Sequence, residues 1–233
     1  MTTSNTTNFD LDLISIIEEA YERCGVSYKE GYDFKTAKRS LSLMVIEWAN
    51  RGINLWTLDA GSIPLVAGTA TYDLPSDTID VLEVSLRVGS GSTATDFSLG
   101  RISMSSYANI ANKNQIGRPL QFWVNRLSGA MEPSGRKNSK ITLWPIPESD
   151  ADSSLVYYRL RRIQDTGDGI NTQDIPFRFL PVFIAGLAYY SAIKLPEATD
   201  RIPMLKNMYD EAWQQASEED RDRSPLRLVP RMY

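Results

Sequence analysis

The spacing of apolar residues changes twice along the chain, and this change limits the possible folds more than any other feature. Up to residue 52, and again from residue 176, apolar residues recur at the 3.6-residue period of amphipathic helices. Between residues 53 and 163 the period shortens to two, and Thr, Tyr, Val, Gly and Pro become frequent, as in short strands joined by turns. The sequence therefore predicts helices at both ends and a β-region between them.

Two helices are predicted before the β-region. The first covers residues 11–24, with Asp10 as its N-cap and Gly25 as its stop. The second begins after Asp33, which can cap it, and ends at residues 51–52. A short link that contains glycine joins the two helices, which favours an antiparallel helical hairpin.

Two more helices are predicted after the β-region. The third starts near Pro181 and stops before Pro196, and Ser191 lies on its apolar face. Gly186, in the middle of this helix, would cost about 1 kcal/mol relative to Ala at an exposed position, so we expect another helix to approach closely there. The fourth helix covers residues 200–220.

The β-region contains seven candidate strands and one short helix. The strands are expected at residues 56–58, 62–66, 71–74, 79–88, 120–126, 140–144 and 155–163, and the helix at residues 103–112. Short strands separated by turn signals are typical of a small sandwich or barrel. In the fourth strand, Leu82 interrupts the alternation of buried and exposed positions.

These elements predict an α+β protein. Each terminal hairpin has an apolar stripe that it cannot bury alone, so we expect residues 8–52 and 176–220 to pack as a four-helix bundle. An antiparallel β-region at residues 53–165 is inserted between the hairpins. Residues 221–233 follow as an extended C-terminal tail.

The composition excludes several kinds of active site. The chain has 233 residues, no histidine and one cysteine, Cys24, which we expect to be buried. These counts exclude Ser-His-Asp and Cys-His catalysis, histidine metal sites, intramolecular disulfides and cysteine-built zinc sites. We therefore expect no metal and no cofactor.

Two alternative functions stay open on the composition alone. A glycosidase needs only a pair of carboxyl groups about 5 to 9 Å apart in a cleft, one of them in an apolar setting. The Glu doublets at residues 18–19 and 218–219 are not facing pairs, because adjacent helical residues point about 100° apart. A β-rich module that binds carbohydrate or protein would instead show an aromatic-lined groove.

The charge balance argues against nucleic-acid binding as the main activity. The net charge is −4 and the sequence pI is near 5.0, whereas such binding needs a concentrated basic face. No apolar run approaches the roughly 20 residues that cross a bilayer, and residues 1–8 lack the pattern of a secretory leader. We expect a soluble, non-exported protein that binds no membrane.

Two basic clusters in the β-region are candidate contact surfaces. Residues 128–140 form a long connection between two strands and carry Arg136, Lys137 and Lys140. Such a loop is either solvated or a contact surface. The second cluster is Arg159 and Arg161, which strand alternation places on one face, available to the carboxylates of a neighbouring subunit or simply solvated.

The C-terminal tail is the strongest candidate for docking. Residues 221–233 carry a net charge of +3, which leaves −7 on the remaining chain, and two prolines prevent a continuing helix. The tail is too short to bury its own apolar side chains, so it suits a groove on a protein partner, although a solvated terminus is the alternative. The candidate docking residues are Leu226, Arg227, Leu228, Val229, Pro230, Arg231, Met232 and Tyr233.

Several segments resemble a known family. They are FDLDLISIIEEAYERCG (9–25), AKRSLSLMVIEWANRGINLW (37–56), YDLP (72–75), GRP (117–119), ITLWPIP (141–147) and YYRLR (157–161). In this order they resemble head-to-tail adaptor proteins of tailed bacteriophages, the group that includes tail tubular protein A and the tail accessory factors of short-tailed phages. The likeness covers most of the chain from Phe9 onward, and its motifs are structural rather than catalytic.

The resemblance implies a structural virion protein and no enzyme. It implies a ring, expected to be a dodecamer, below the portal protein at the head-tail junction, assembled in the host cytoplasm. The ring would extend the DNA channel, pass DNA without specific binding, and receive further tail proteins such as a nozzle or tail tube. The tail would then dock into the portal, and Arg136, Lys137 and Lys140 would contact a neighbouring subunit or the next tail component.

Overall fold

The computed structural model describes residue 5 and residues 9–52, 55–127, 129–132, 135–148 and 153–220. The chain divides into two compact units. Met1–Trp56 and Ile163–Tyr233 make up the helical unit, and Thr57–Arg162 make up the β-unit. Helices and strands both contribute substantially, so the predicted α+β class is confirmed.

The described residues contain five α-helices. They are α1 (Leu13–Cys24), α2 (Tyr32–Asn50), α3 (Met104–Ala108), α4 (Leu180–Ala192) and α5 (Ile202–Glu219). Short 3₁₀ turns cover Leu55–Thr57, Gly91–Thr93, Phe177–Phe179 and Pro196–Arg201. The short helix expected near residues 103–112 is α3, in the β-unit, and the other four helices belong to the helical unit.

Helix α4 is the centre of the helical unit. It is apolar on nearly all faces and packs against α1, α2 and α5, whereas α1 and α2 contact each other much less than either contacts α4. The predicted close approach at Gly186 is confirmed: an added Cβ would clash with Met44 Sδ and would lie 2.9 Å from Tyr209 Cε2. Met44 is on α2 and Tyr209 on α5, so the absent side chain lets two helices approach α4 at one point.

Two of the predicted N-caps are wrong. Helix α1 is capped by Asp12, whose side chain accepts a hydrogen bond from the Ser15 amide at 2.8 Å, and Asp10 precedes it. Helix α2 begins one residue before Asp33, whose carboxylate accepts the amide of Lys29 at 3.0 Å instead. The stop at the end of α1 is confirmed, because Gly25 has the left-handed conformation with φ of 74°.

An aromatic cluster fills the core between α2, α4 and α5. Trp48 is fully buried, and its indole N–H donates to the Tyr209 hydroxyl at 2.9 Å. Its ring packs against Phe179, Phe183 and Trp213. Elsewhere in this core Cys24 is buried as expected, and burial raises the pKa of its thiol to about 11.

The β-unit is a sandwich of two four-stranded sheets. The strands are β1 (Leu58–Pro64), β2 (Thr71–Asp73), β3 (Thr78–Val88), β4 (Thr95–Ser98), β5 (Gly100–Arg101), β6 (Gln121–Asn125), β7 (Met131–Glu132), β8 (Gly135–Arg136), β9 (Lys140–Trp144) and β10 (Ser153–Arg161). One sheet has the order β1-β10-β3-β4, the other β2-β9-β6-β5, and β7 pairs with β8. Apolar side chains from both sheets, including Val84, Phe122, Ile141 and Leu155, form one core.

Two strand predictions need correction, and the predicted interruption at Leu82 is explained. Of the two strands expected at residues 56–58 and 62–66, Trp56 and Thr57 lie in a 3₁₀ turn, and the single strand β1 covers Leu58–Pro64. The region is not purely antiparallel, because β5 runs parallel to β6. Leu82 interrupts the alternation because a bulge lies there: Val81 pairs with Arg159 and Glu83 with Tyr158, so Leu82 is the extra residue and stays exposed.

Candidate assembly surfaces

Arg159 is a buried cation of the β-unit, not a residue on an open face, and two carboxylates that are themselves 40–46% exposed hold it. Only 7% of the residue is exposed, and its guanidinium donates to Asp59 at 2.9 Å, to Asp77 at 2.5 Å and to the Thr78 hydroxyl at 3.0 Å. It follows the buried Tyr157 on β10, with the exposed Tyr158 between them. The expected exposure of Arg159 is therefore wrong, because its side chain is held by carboxylates of its own chain.

Arg159 also sets the protonation of Asp77. Burial raises the pKa of Asp77, but the hydrogen bond and charge of Arg159 outweigh it, so the pKa of Asp77 lies below its usual value. The pKa of Arg159 is raised for the reciprocal reason: burial disfavours the charged form, and Asp77 and Asp59 more than compensate. Asp77 and Arg159 therefore stay ionised at neutral pH, and the arginine ties β10 to Asp59 in β1 and to Asp77 and Thr78 where β3 begins.

Arg161 is more exposed than Arg159, although its charge also lowers the pKa of Asp77. A register shift between Leu160 and Arg161 breaks the alternation of β10, and Arg161 is partly exposed. Its guanidinium donates to the backbone carbonyl of Arg162 at 3.2 Å. Of the two arginines, Arg161 is the one accessible to another molecule.

The basic connection between β6 and β9 is a β-hairpin rather than a flexible loop. Strands β7 and β8 pair, and the amide of Lys137 donates to the carbonyl of Ala130 at 2.8 Å. Met131, at its start, is 71% exposed. The side chain of Arg136 falls outside the description, whereas Lys140 lies at the start of β9 and pairs with the exposed Asp73 at 3.1 Å. The described backbone of this connection is therefore paired within the chain.

Other charged groups of the β-unit also pair within the chain. Arg87 binds both carboxylate oxygens of Asp96 at 2.7 Å, between the neighbouring strands β3 and β4. Asp80 lies 2.9 Å from Arg101 and 3.7 Å from Arg126. These pairs organise the sandwich surface and leave fewer charges for partners than the sequence suggests.

The helical unit contains clefts of different chemistry. The apolar cleft, of about 550 Å³, is lined by Phe9, Leu11, Phe177, Leu180, Pro181 and Ile184. The glutamate cleft, of about 430 Å³, contains Glu18, Glu22 and Tyr28. The Ser191 cleft, of about 240 Å³, contains Arg39 and Lys194 beside Ser191. Each is formed within the helical unit alone.

The glutamate cleft does not have the chemistry of a glycosidase. Glu18 and Glu22 lie four residues apart on one face of α1, and both are exposed to solvent. An acid catalyst would need one carboxyl group in an apolar setting, and neither residue has it. Within the described residues, no group of three potential ligands is placed to hold a metal ion, and no helix is long and apolar enough to cross a membrane.

Comparison with known protein families identifies the family of the chain. A family model described as SU10 adaptor protein matches residues 11–230. The chain belongs to the SU10 adaptor protein family. Among curated proteins, none matches it significantly.

Membership of this family gives the chain a general role. It is a structural adaptor of the bacteriophage head-tail type, which acts at the head-tail junction of the virion by contacting portal and tail proteins. The resemblance noted in the sequence is confirmed at this level. The match reaches residue 230, so it includes most of the tail, whose candidate docking residues 226–233 lie outside the described residues.

Sequence patterns missed two polar features of the chain. Asp59 and Asp77 are separated from Arg159 by 100 and 82 positions, so no local motif joins them. The Ser191 cleft brings Arg39 on α2 beside Lys194 just after α4. The one available signal was Ser191 itself, a hydroxyl on an otherwise apolar helix face.

Proposed function

We propose that the protein is a head-to-tail adaptor that forms a ring below the portal, extends the DNA channel and receives the next tail component. The observation that carries this proposal is the family match over residues 11–230, which spans both units and enters the tail. It would be an adaptor of the same type as tail tubular protein A and the tail accessory factors. Its activity would be assembly, which requires no catalytic group and no cofactor.

Side-to-side contacts would close the ring. A cyclic ring uses heterologous contacts, in which two different surfaces of neighbouring subunits meet. The paired strands β7 and β8 supply backbone for such a contact, and positive charge for a neighbour or for the next tail protein would come from Arg136, Lys137, Lys140 and Arg161. Arg159 would act from inside, by holding β10 in place. The expected stoichiometry is twelve, and α1, α2, α4 and α5 would form the four-helix body.

The charge of the body suits a DNA channel. Residues 1–220 carry a net charge of −7, and a surface of that sign repels the phosphate backbone. DNA would then pass without specific binding. A strongly basic lumen in an assembled ring would contradict this part of the proposal.

The tail would dock into the portal. Extended peptides gain affinity from backbone pairing and register from alternating side chains, and residues 226–233 place Arg227 and Arg231 among apolar residues. We expect the portal groove to offer apolar pockets and carboxylates.

Light scattering tests the ring and its partner together. The purified protein is mixed with the portal protein from the same genome, and the mass of the complex is measured. We expect a stoichiometric complex of ring on ring. A persistent monomer that forms no complex at any ratio would contradict the proposal.

Truncation of the tail tests the docking element separately. Deleting residues 224–233 is expected to leave the fold and the thermal midpoint unchanged, since the described cores end before it, while abolishing incorporation into particles. The matched variants replace Leu226, Leu228 and Val229 by Ser, or Arg227 and Arg231 by Gln. Normal particle assembly by the truncated protein would refute the docking role.

A further inference from the structure

The Ser191 cleft has the properties of a binding site that the adaptor role does not explain. Its volume of about 240 Å³ lies below the roughly 300–1,000 Å³ of clefts that hold drug-sized ligands. It could therefore receive a small group or a single side chain rather than a nucleotide. Its polar lining comes from Asp33, Thr36 and Arg39 on α2 and from Ser191 and Lys194 at the end of α4.

Two cations face this cleft without an opposing carboxylate of their own. In the part of the chain that is described, neither Arg39 nor Lys194 forms an ion pair, and the Lys194 ammonium donates to the buried Ser40 hydroxyl at 2.5 Å. Burial, together with the charge of Arg39, lowers the pKa of Lys194. Arg39 and Lys194 are both exposed to solvent, which screens the repulsion between them, and an anion bound beside both would reduce it further.

Two hydroxyl groups beside these cations also have no partner. Thr36 Oγ1 and Ser191 Oγ are buried, and neither forms a hydrogen bond among the described residues. Only 3% of Ser191 is exposed, so bulk water does not replace the missing bond. Buried hydroxyls without partners are rare in proteins, and a ligand is one reason for their retention.

The charge of the lining selects the kind of anion. Arg39 and Lys194 give +2 and Asp33, whose Oδ2 accepts the Lys29 amide at 3.0 Å, gives −1. The net charge of +1 matches a monoanion and disfavours a phosphate dianion. Apolar surface from Tyr21 and Leu195 adjoins the polar groups and suits an aliphatic stem.

We propose that the Ser191 cleft binds a carboxylate, with Arg39 and Lys194 neutralising its charge and the hydroxyls of Ser191 and Thr36 donating to its oxygens. The carboxylate comes from an acidic side chain of another polypeptide or from a small free acid. The site does not depend on the ring or on tail docking.

A titration of the ¹⁵N-labelled full-length protein tests the site and distinguishes the two sources. The probes are acetyl-Ala-Glu-Ala-amide, its neutral counterpart acetyl-Ala-Gln-Ala-amide, and acetate, and the amide signals of Ser191 and Lys194 are followed by NMR. We expect saturable shifts with the Glu peptide and none with the Gln peptide. Binding of the Glu peptide at least about tenfold tighter than acetate assigns the site to a polypeptide, and equal affinities assign it to a free acid. Equal shifts with the Gln peptide, or no shift with either acid, would overturn the proposal.

Variants separate ligand binding from simple structural roles. Arg39→Gln is expected to weaken binding of the Glu peptide at least about tenfold, whereas Lys206→Gln, the same charge change at an exposed position on α5, leaves it unchanged. Ser191→Ala removes a hydroxyl without a partner, so the thermal midpoint of the free protein should stay level or rise while the affinity falls. A lower midpoint with unchanged affinity would show that Ser191 is structural, and wild-type affinity in both Arg39→Gln and Ser191→Ala would overturn the site.

Discussion

The helical unit and the β-unit differ in how the chain builds them. The helical unit takes α1 and α2 from one end of the sequence and α4 and α5 from the other, whereas the β-unit is the continuous segment Thr57–Arg162. Because α1 and α2 pack mainly on α4, most of the helical core forms only when both ends meet. A folded β-unit shortens the loop that must close, so its stability favours assembly of the helical unit.

The two units also differ in how completely their buried polar groups are hydrogen-bonded. In the β-unit Arg159 is satisfied by two carboxylates and a hydroxyl. The described buried side-chain atoms without a partner, in Thr36, Arg178, Ser191 and Asp220, all lie in the helical unit. The sandwich therefore has a closed polar network, while the helical unit keeps hydrogen-bonding capacity available. Contacts that form on assembly are expected to use the latter.

The largest expected effect on stability comes from removing a buried aromatic ring from either hydrophobic core. Trp48→Ala and Phe122→Ala remove fully buried rings and should each lower the free energy of unfolding by about 3–5 kcal/mol. Hydrogen exchange should show Trp48→Ala exposing the helical amides and leaving the β-unit protected. Phe122→Ala should weaken protection in both units, because the helical ends are then joined by a loop of roughly 100 unfolded residues. Equal loss of protection in the β-unit from both variants would contradict the asymmetry.

The next effect separates a buried arginine from an exposed one in the same sheet. Arg159→Met should cost about 1–3 kcal/mol, since it leaves the buried Thr78 hydroxyl without its donor and removes the ion pairs to the half-exposed Asp59 and Asp77. Arg87→Met breaks a bidentate pair that is over 40% exposed on both sides and should cost less than about 1 kcal/mol. Urea unfolding measures both, and similar losses would show that burial does not matter here.

A smaller effect tests the contact between three helices. Gly186→Ala gains up to about 1 kcal/mol of helix propensity, but its Cβ must displace Met44 and Tyr209, for a net loss of about 1–2 kcal/mol. Gly117→Ala in the β-unit is the control, because its Cβ would make an ordinary 3.7 Å contact with Pro145. It should change stability by less than about 0.5 kcal/mol. Thermal unfolding measures the stability of both variants. A stabilised Gly186→Ala variant would contradict the close approach of α2 and α5 to α4 at Gly186.

The smallest expected effect is a dependence on pH. The pKa of Asp77 is lowered in the folded protein, so its contribution to stability is present above its ordinary value near 4 and is lost as pH falls through the folded value. Asp77→Asn should therefore cost about 1 kcal/mol or less from pH 5 to 8, and the difference from wild type should shrink towards pH 3. Asp168→Asn, at a side chain that is 99% exposed, is the control. A difference that stays constant down to pH 3 would contradict this role of Asp77.

Local sequence patterns predicted most of the secondary structure. The features that they missed depend on contacts between residues far apart in the sequence. Periodicity predicted the four long helices, the sandwich and the close approach at Gly186. It could not choose Asp12 over Asp10 as the cap, because both residues can accept the same kind of hydrogen bond. It treated Arg159 as exposed because a charge on a strand is usually solvated, and the acids that bury it are 82 and 100 positions away. The tail and its partner stay predictions.

The pairing of β1 with β10 makes the β-unit a detachable module. Its first and last strands are neighbours, with Leu58 opposite Leu160, so the chain enters and leaves the sandwich at adjacent points. A connection of a few glycine and serine residues could span that gap in place of the whole sandwich. The arrangement lets one sandwich be exchanged for another, by recombination or by design, without re-threading the helices.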